Sequence, residues 1–313
     1  MNDFVKIRDF ATGSPDFSKV EEVASYTRGK NVWTEYKIMK SHNPIKLRLN
    51  ESSGEMDIVG NMGFFWNGHN LTFPNSEFIE VIDYLSQLLN QDIGKMKLVE
   101  FDHSALVKLD QCPQSVIMNH LSIKGHETKP QKAGKYFKKP RVQLVKMYDA
   151  TRRMKQLYSS TVRKDILAQS GFVDASNLLR FEKKILNPHA YFKSHLTVDD
   201  ILKPEFISQL DNDLIDTYKS IMKTGLIKIP EKKNHLTSAT IPLIVGKELG
   251  MIYDFNFEAL IKDKIREISE SILTKDDKKA RMRQIRANVK KIASSGVSQY
   301  DITEALSNSL KMP

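Results

Sequence analysis

The chain has 313 residues, of which 40% are hydrophobic and 27% are charged, a balance that is typical of globular proteins and excludes a largely disordered chain. Its 48 lysines and arginines outnumber its 38 aspartates and glutamates, so the formal charge of +10 favours a polyanionic partner. The single cysteine, Cys112, excludes an internal disulfide and a cysteine-based zinc site.

The amino terminus lacks the apolar core of a signal peptide, and the longest apolar stretches are much shorter than a membrane span. We therefore expect a protein of a reducing, cytoplasmic compartment with no membrane partner. If the chain is phage-encoded, that compartment is the cytoplasm of the host cell.

Three β-rich segments, VWTEYKIM, IKLRLNE and EMDIVGNMGFFW, lie within residues 32–72 and are separated by turn residues. A helix is predicted from Ser76 to Leu89, because apolar residues recur there at helical spacing after a capping residue. Strict alternation then predicts a strand from Leu98 to Leu109, with Asp102 on its polar face.

Further along the chain, a strand is predicted from Arg141 to Tyr148, a basic helix from Ala150 to about Ala168 and a strand from Leu178 to Leu186. Strands interrupted by helices without a regular βαβ rhythm indicate an α+β fold, with an antiparallel or mixed sheet and helices packed on one face. Because residues beyond about 196 look mostly helical, we expect a first domain at 1–195 and a helical, basic region at 196–313.

The excess positive charge lies in two segments. Residues 124–155 carry eleven basic and two acidic side chains, and the pattern KGHETKPQKAGKYFKKPR is interpreted as a basic loop rather than a solvated linker. Residues 275–291 carry eight basic and two acidic side chains and are interpreted as a DNA-binding helix, with calmodulin-like or membrane-surface binding as the alternative. The predicted DNA contacts are Lys135, Tyr136, Lys138, Lys139, Arg141, Arg152, Arg153, Arg281, Arg283 and Arg286.

Three predicted strands each present one carboxylate, from Asp102, Asp149 and Glu182. Carboxylates on adjacent strands suit Mg²⁺ or Mn²⁺, which prefer oxygen ligands. Tyr148 precedes Asp149, and a tyrosine can be the nucleophile of a phosphoryl transfer. Lys146 lies on the same strand face as Tyr148. A phosphate-binding glycine loop is missing from the sequence, which argues against an ATP-driven motor. No two histidines lie two residues apart, which excludes a His-apolar-His metal motif.

The order of these segments resembles the gene II/gene X replication initiators of filamentous phages and related plasmids. The similarity covers about residues 50–225, through GNMGFFWNGHNLTFPNSEFIEVIDYLSQLLNQDI, KLVEFDHSALVKL, RVQLVKMYDATRRMKQL, LLRFEKKI and LTVDDILKPEFISQL. The resemblance implies a site-specific nicking and joining enzyme that starts rolling-circle replication of a phage or plasmid. It implies Tyr148 as the nucleophile that holds a 5′-phosphate, and Asp102, Asp149 and Glu182 as ligands of Mg²⁺ or Mn²⁺.

Strand-face geometry adds Lys146 and Arg180 as groups that stabilise phosphate charge. The expected partners are single-stranded and double-stranded origin DNA, together with a host helicase, polymerase and single-strand-binding protein. Two departures from the family pattern are Ala150, where a lysine is usual, and Arg152-Arg153 near the position of a glutamate. Tyr136 and Tyr158 are alternative nucleophiles.

Two other functions are compatible with the sequence. The departures near Asp149 favour a catalytically inactive origin-binding or regulatory protein of the same fold, which would bind DNA equally well in EDTA. An RNA-binding or RNA-processing protein would suit the basic segment at 124–155, and a preference for RNA hairpins would support it.

Overall fold

The structure is a computed structural model, and it describes residues 3–223 apart from 42, 132, 173 and 175, together with 274–283 and 301–311. Of the segments interpreted above, residues 224–273 and 284–300, with Arg286, lie outside the described residues. Within the described part, helical residues 275–283 expose Arg281 and Arg283.

A ten-stranded antiparallel sheet forms the centre of the fold, in the order β2-β3-β4-β5-β1-β6-β11-β10-β9-β8. Its strands are β1 (Phe4–Phe10), β2 (Glu21–Arg28), β3 (Asn31–Ile38), β4 (Ile45–Asn50), β5 (Glu55–Asn61), β6 (Leu98–Lys108), β8 (Glu127–Gln131), β9 (Gly134–Lys139), β10 (Gln143–Asp149) and β11 (Leu178–Ile185). A second sheet pairs β7 (His120–Ile123) with β12 (Ile221–Lys223). The expected α+β class with a large antiparallel sheet is confirmed.

The helices are α1 (Met62–Asn67), α2 (Asn75–Leu89), α3 (Pro113–Asn119), α4 (Ala150–Leu157), α5 (Ser160–Gln169), α6 (Pro188–Phe192), α7 (Pro204–Lys219) and α8 (Thr303–Leu310). One sheet face packs against α2, α3, α7 and α8, where Phe101 and Phe181 are fully buried. On the opposite face, Leu106 and Leu178 pack against α4 and α5. The expectation that all helices lie on one face is therefore wrong, because the α4–α5 pair has an apolar side of its own.

The strand predictions agree best with the structure in the centre of the sheet. Strands β6, β10 and β11 begin and end within two residues of the predicted bounds. The basic segment is not a loop, since β8 and β9 form a hairpin that joins the sheet beside β10. The composition of the segment obscures the hairpin, because its inward-facing side chains are those of Phe137 and Lys135, and a lysine is rarely buried in a strand. The predicted long helix is broken in two at Tyr158, where the Ser159 hydroxyl caps α5.

The segment MGFFW, which was expected to be strand, forms α1 instead. The Asn61 side chain accepts a hydrogen bond from the Phe64 N–H and caps the helix, and Gly68 ends it with φ of +74°. This is the pattern of capping at both ends that short helices use. The turn places the loop at 68–73 beside the end of α4, where the Tyr158 hydroxyl donates a hydrogen bond to the Gly68 carbonyl oxygen.

The helices beyond residue 196 share the core of the sheet. Leu214 and Tyr218 of α7 and Leu306 of α8 are buried in one cluster with Phe181 and Val145. The Tyr218 hydroxyl accepts a hydrogen bond from the Ile302 N–H at 2.8 Å. Helices α7 and α8 are thus packed on the sheet, on the face opposite Leu106.

Candidate active site

Five of the six residues expected in the site line one cavity of about 510 Å³: Asp102, Lys146, Tyr148, Arg180 and Glu182. They come from β6, β10 and β11, which are neighbours in the sheet. The antiparallel register pairs Tyr148 with Arg180, and Lys146 with Glu182. Because paired residues point to the same face, alternation along three strands is enough to bring these side chains together.

Tyr148 lies at the end of β10, half-buried, and its hydroxyl donates to Glu182 Oε2 at 3.4 Å. Burial raises the pKa of the Tyr148 hydroxyl well above its usual value, and the nearby Arg180 opposes that rise. The hydroxyl is therefore protonated at neutral pH and needs a proton acceptor before it can attack. Glu182 lies at the place where such an acceptor is required.

Gly134 of β9 leaves room for Tyr148. A Cβ atom at Gly134 would lie 2.6 Å from the Met147 carbonyl oxygen and 2.7 Å from Tyr148 Cβ. Both distances are shorter than a van der Waals contact, so a larger residue would displace the end of β10. The position of Tyr148 thus depends on a glycine in the neighbouring strand.

Lys146 forms an ion pair with Glu182 Oε1 and is four-fifths buried at its side chain. Burial lowers the pKa of Lys146, but the carboxylates of Glu182 and Asp102 outweigh burial, so the net pKa is raised. Lys146 is therefore positively charged at neutral pH, and it contacts the same carboxylate, that of Glu182, as the Tyr148 hydroxyl does.

Arg180 is held rigidly from several sides, with only 2% of its side chain exposed. Its guanidinium donates to Asp3 Oδ2 at 2.8 Å, to Ser104 Oγ at 2.9 Å and to the Asn70 carbonyl oxygen. Burial lowers the pKa of Arg180, but Asp3 and the other anions of the site raise it by more. The net pKa is therefore raised, and the charge is permanent. A fixed cation facing the cavity suits the charge of a phosphoryl transition state.

Asp3 is a member of the site that sequence reasoning missed. It is 1% exposed and also accepts a hydrogen bond from Asn70 Nδ2 at 2.7 Å. It precedes β1 and carries no motif, so the only available signal was indirect: a buried arginine on β11 requires a carboxylate partner.

Asp102 accepts a hydrogen bond from the Phe4 N–H at 2.9 Å and lies in hydrogen-bonding contact with Asp3. Burial raises the pKa of Asp102 well above its usual value, and the negative charges of Asp3 and Glu182 raise it further. For Asp3, burial opposes ionisation, but Arg180 and the hydrogen bonds to Asp3 together outweigh burial, so the pKa is lowered. Of these two carboxyl groups, Asp102 therefore holds a proton more tightly.

Asp149, the sixth expected residue, does not line the cavity. It caps α4, because Asp149 Oδ1 accepts a hydrogen bond from the Arg152 N–H at 2.8 Å. Adjacent strand residues point to opposite faces, and β10 ends at this residue, so Tyr148 and Asp149 serve different parts of the structure.

The resemblance implies a divalent metal, and the structure offers a different set of carboxylates from the expected one. Asp3 contacts Asp102, whereas Asp149 does not line the cavity, and these carboxylates offer oxygen atoms, which Mg²⁺ and Mn²⁺ prefer as ligands. Among the described residues, no group of three His, Cys, Asp or Glu side chains is arranged to hold an ion. The expected set of ligands is therefore not assembled, because Asp149 caps α4, Glu182 pairs with Lys146 and Asp3 pairs with Arg180.

The expected DNA-contact residues have different surroundings. Lys138, Lys139 and Arg141 are exposed around the β9–β10 turn, Arg153 is exposed at the cavity, and Arg152 is half-buried. Tyr136 lines the cavity from β9, opposite Lys146. Lys135 points inward instead and donates to the carbonyl oxygens of Met118 and His120, so it is placed to support the fold rather than to meet DNA.

Comparisons of the chain with protein-family models, with curated proteins and with solved structures found no match. No helix among the described residues is long and apolar enough to cross a bilayer. The assignment of a function therefore depends on the geometry of the cavity and on the resemblance described above.

Proposed function

We propose that this protein is a metal-dependent DNA nicking and joining enzyme that uses Tyr148 as its nucleophile and initiates rolling-circle replication of a phage or plasmid. The observation that carries the proposal is the contact between the Tyr148 hydroxyl and the Glu182 carboxylate in a cavity that Lys146 and Arg180 also line. A nucleophile, a proton acceptor and two cations are the groups that phosphoryl transfer requires.

The reaction follows from these positions. The Tyr148 hydroxyl loses its proton to Glu182, and its oxygen attacks the phosphorus of a DNA phosphodiester. The bond between phosphorus and the 3′ oxygen breaks, Lys146 gives a proton to that oxygen, and the 5′ phosphate remains on the tyrosine. Arg180 stabilises the negative charge that develops on the phosphoryl oxygens. The reverse sequence joins the ends, so the energy of the phosphodiester is conserved.

A divalent ion held by Asp102 and Asp3 would supply further positive charge beside the phosphate. Asp102 and Asp3 would supply oxygen ligands to such an ion, and Asp102 would lose its proton on binding it.

A catalytically inactive origin-binding protein of the same fold is the second candidate. It is favoured by the use of Asp149 as a helix cap and by the ion pairs that already neutralise Glu182 and Asp3. Such a protein would bind DNA through the exposed Lys138, Lys139 and Arg141 without cutting it.

The test is a denaturing gel of the full chain with a pool of single-stranded DNA oligonucleotides of random sequence and Mn²⁺. The tyrosines that line the cavity provide matched variants: Tyr148→Phe, Tyr136→Phe and Tyr158→Phe. We expect a covalent adduct with the wild type and with the last two variants, and none with Tyr148→Phe. Loss of the adduct with Tyr136→Phe alone would move the nucleophile. Binding without any adduct, unchanged by EDTA, would support the second candidate.

A further inference from the structure

The cavity has two ends of different chemistry. The end described above is charged, whereas the other end is walled by the apolar side chains of Leu71, Met154, Ile166 and Leu157 and by the ring of Tyr158. A volume of about 510 Å³ lies in the range of pockets that bind whole small molecules, and is larger than a phosphate group needs. The nicking chemistry uses only the charged end.

The apolar end is built from two segments that are tied together. The Tyr158 hydroxyl, at the break between α4 and α5, donates to the Gly68 carbonyl oxygen at 3.0 Å. His69, in the same loop, is nearly fully buried, and burial lowers its pKa, so its ring is neutral at physiological pH. The lining of this end therefore carries no strong charge apart from Arg153 at its exposed side.

We propose that the apolar end binds one unpaired nucleobase, that of the nucleotide adjoining the phosphate at Tyr148. This inference rests on the proposed function, because it places the phosphate of the same nucleotide at the charged end. A ligand that spans both ends must join an anionic group to a flat, uncharged body, and a nucleotide has that composition. The ring of Tyr158 lines this end of the cavity and is the surface on which a base would stack.

The proposal predicts that the strand is unpaired at the nick. A base held among Leu71, Met154 and Tyr158 has left its stack and its pairing partner. Tyr158 then acts in recognition, and its hydroxyl is unsuited to attack, because it donates to the Gly68 carbonyl oxygen, which cannot take its proton.

The test is isothermal titration calorimetry of the full chain with five small probes, in EDTA and in Mn²⁺. Four probes are the 2′-deoxynucleoside 3′,5′-bisphosphates of the four bases, and the fifth is the abasic deoxyribose 3′,5′-bisphosphate with the same two phosphates. We expect at least one base-bearing probe to bind about tenfold more tightly than the abasic probe, which is the contribution of one stacked base.

The variant Tyr158→Leu keeps an apolar side chain but removes the ring, and it should abolish that difference while leaving the affinity of the abasic probe unchanged. Tyr26→Leu is the matched control, because Tyr26 is an exposed tyrosine of β2 away from the cavity, and it should change neither affinity. Leu157→Ala gives a second test that does not threaten the fold, since Leu157 is 43% exposed, and it should reduce the difference by a smaller factor.

Equal affinity of all five probes, no detectable binding of any, or an equal loss for abasic and base-bearing probes in Tyr158→Leu would each overturn the base site. The outcome is separable from that of the nicking proposal, because probe binding requires no reaction. Base-dependent binding without a Tyr148 adduct would retain the site and reject the enzyme. An adduct without base-dependent binding would do the opposite.

Discussion

Replacing Asp3 with asparagine should destabilise the fold strongly, although the side chain keeps its size. The change removes the negative charge 2.8 Å from Arg180, whose side chain is 2% exposed, and leaves the guanidinium charge buried with neutral partners only on that side. Breaking a buried ion pair from one side typically costs about 3–5 kcal/mol. Asp102 offsets part of this loss, because its pKa falls once Asp3 is neutral, so the lower end of that range is expected.

The assay is urea unfolding at pH 7, followed by the fluorescence of the two tryptophans. Asp57→Asn is the matched control, because Asp57 also pairs with an arginine, Arg8, but that arginine side chain is 43% exposed. It should lose about 1 kcal/mol. In the double variant Asp3→Asn with Arg180→Met, the buried charge is absent, and we expect the free energy of unfolding to recover relative to Asp3→Asn alone.

The refuting result is a loss for Asp3→Asn no larger than that for Asp57→Asn, or a double variant in which the two losses simply add. Either would mean that Arg180 does not depend on Asp3 for its charge compensation. The account of the site as a rigid, preorganised set of cations would then be wrong.

Three further predictions concern the same structure. Asp102→Asn should raise the free energy of unfolding at neutral pH, because the raised pKa of Asp102 makes its ionised form unfavourable in the fold. Urea unfolding measured at a series of pH values should show that this gain vanishes as the pH falls towards 3.8. Burial lowers the pKa of His120 from 6.5 to about 3, so the fold loses up to about 5 kcal/mol as the pH falls through that interval. The slope should be smaller in His120→Gln, and the remaining slope comes in part from His103, whose pKa is lowered to about 4. Gly134→Ala should cost about 1–3 kcal/mol by overpacking and lower the yield of the Tyr148 adduct. Gly125→Ala is strained by a φ of +78° rather than by a clash, lies outside the cavity lining, and should leave the adduct unchanged.

The centre of the site was predictable because it depends on local patterns. Alternation along β6, β10 and β11 decides which side chains share a face, and this follows from the sequence once the strands are recognised. Tyr148, Glu182 and Asp102 were therefore expected to lie close together, and they do.

The parts that were missed depend on contacts between distant segments or on capping. Asp3 and Arg180 are 177 residues apart, so no window of sequence connects them. The hairpin of β8 and β9 was obscured because its buried face includes Lys135, which is satisfied only by backbone carbonyl groups of other elements. Asp149 was expected in the site because of its neighbour, whereas an aspartate directly before a helix is also a strong capping signal.

The tyrosines that line the cavity differ in the acceptor that faces each hydroxyl, and this difference is the strongest argument for the nucleophile. Tyr158 donates to the Gly68 carbonyl oxygen, which cannot retain a proton, and Tyr136 lies across from the ammonium group of Lys146. Tyr148 donates to the Glu182 carboxylate, which can take the proton and hold it while the phosphate is attached. A nucleophile with a raised pKa needs that acceptor more than it needs exposure, so burial of Tyr148 is compatible with its proposed role. If Glu182→Gln formed the adduct at the wild-type rate in the Mn²⁺ assay, this argument would fail.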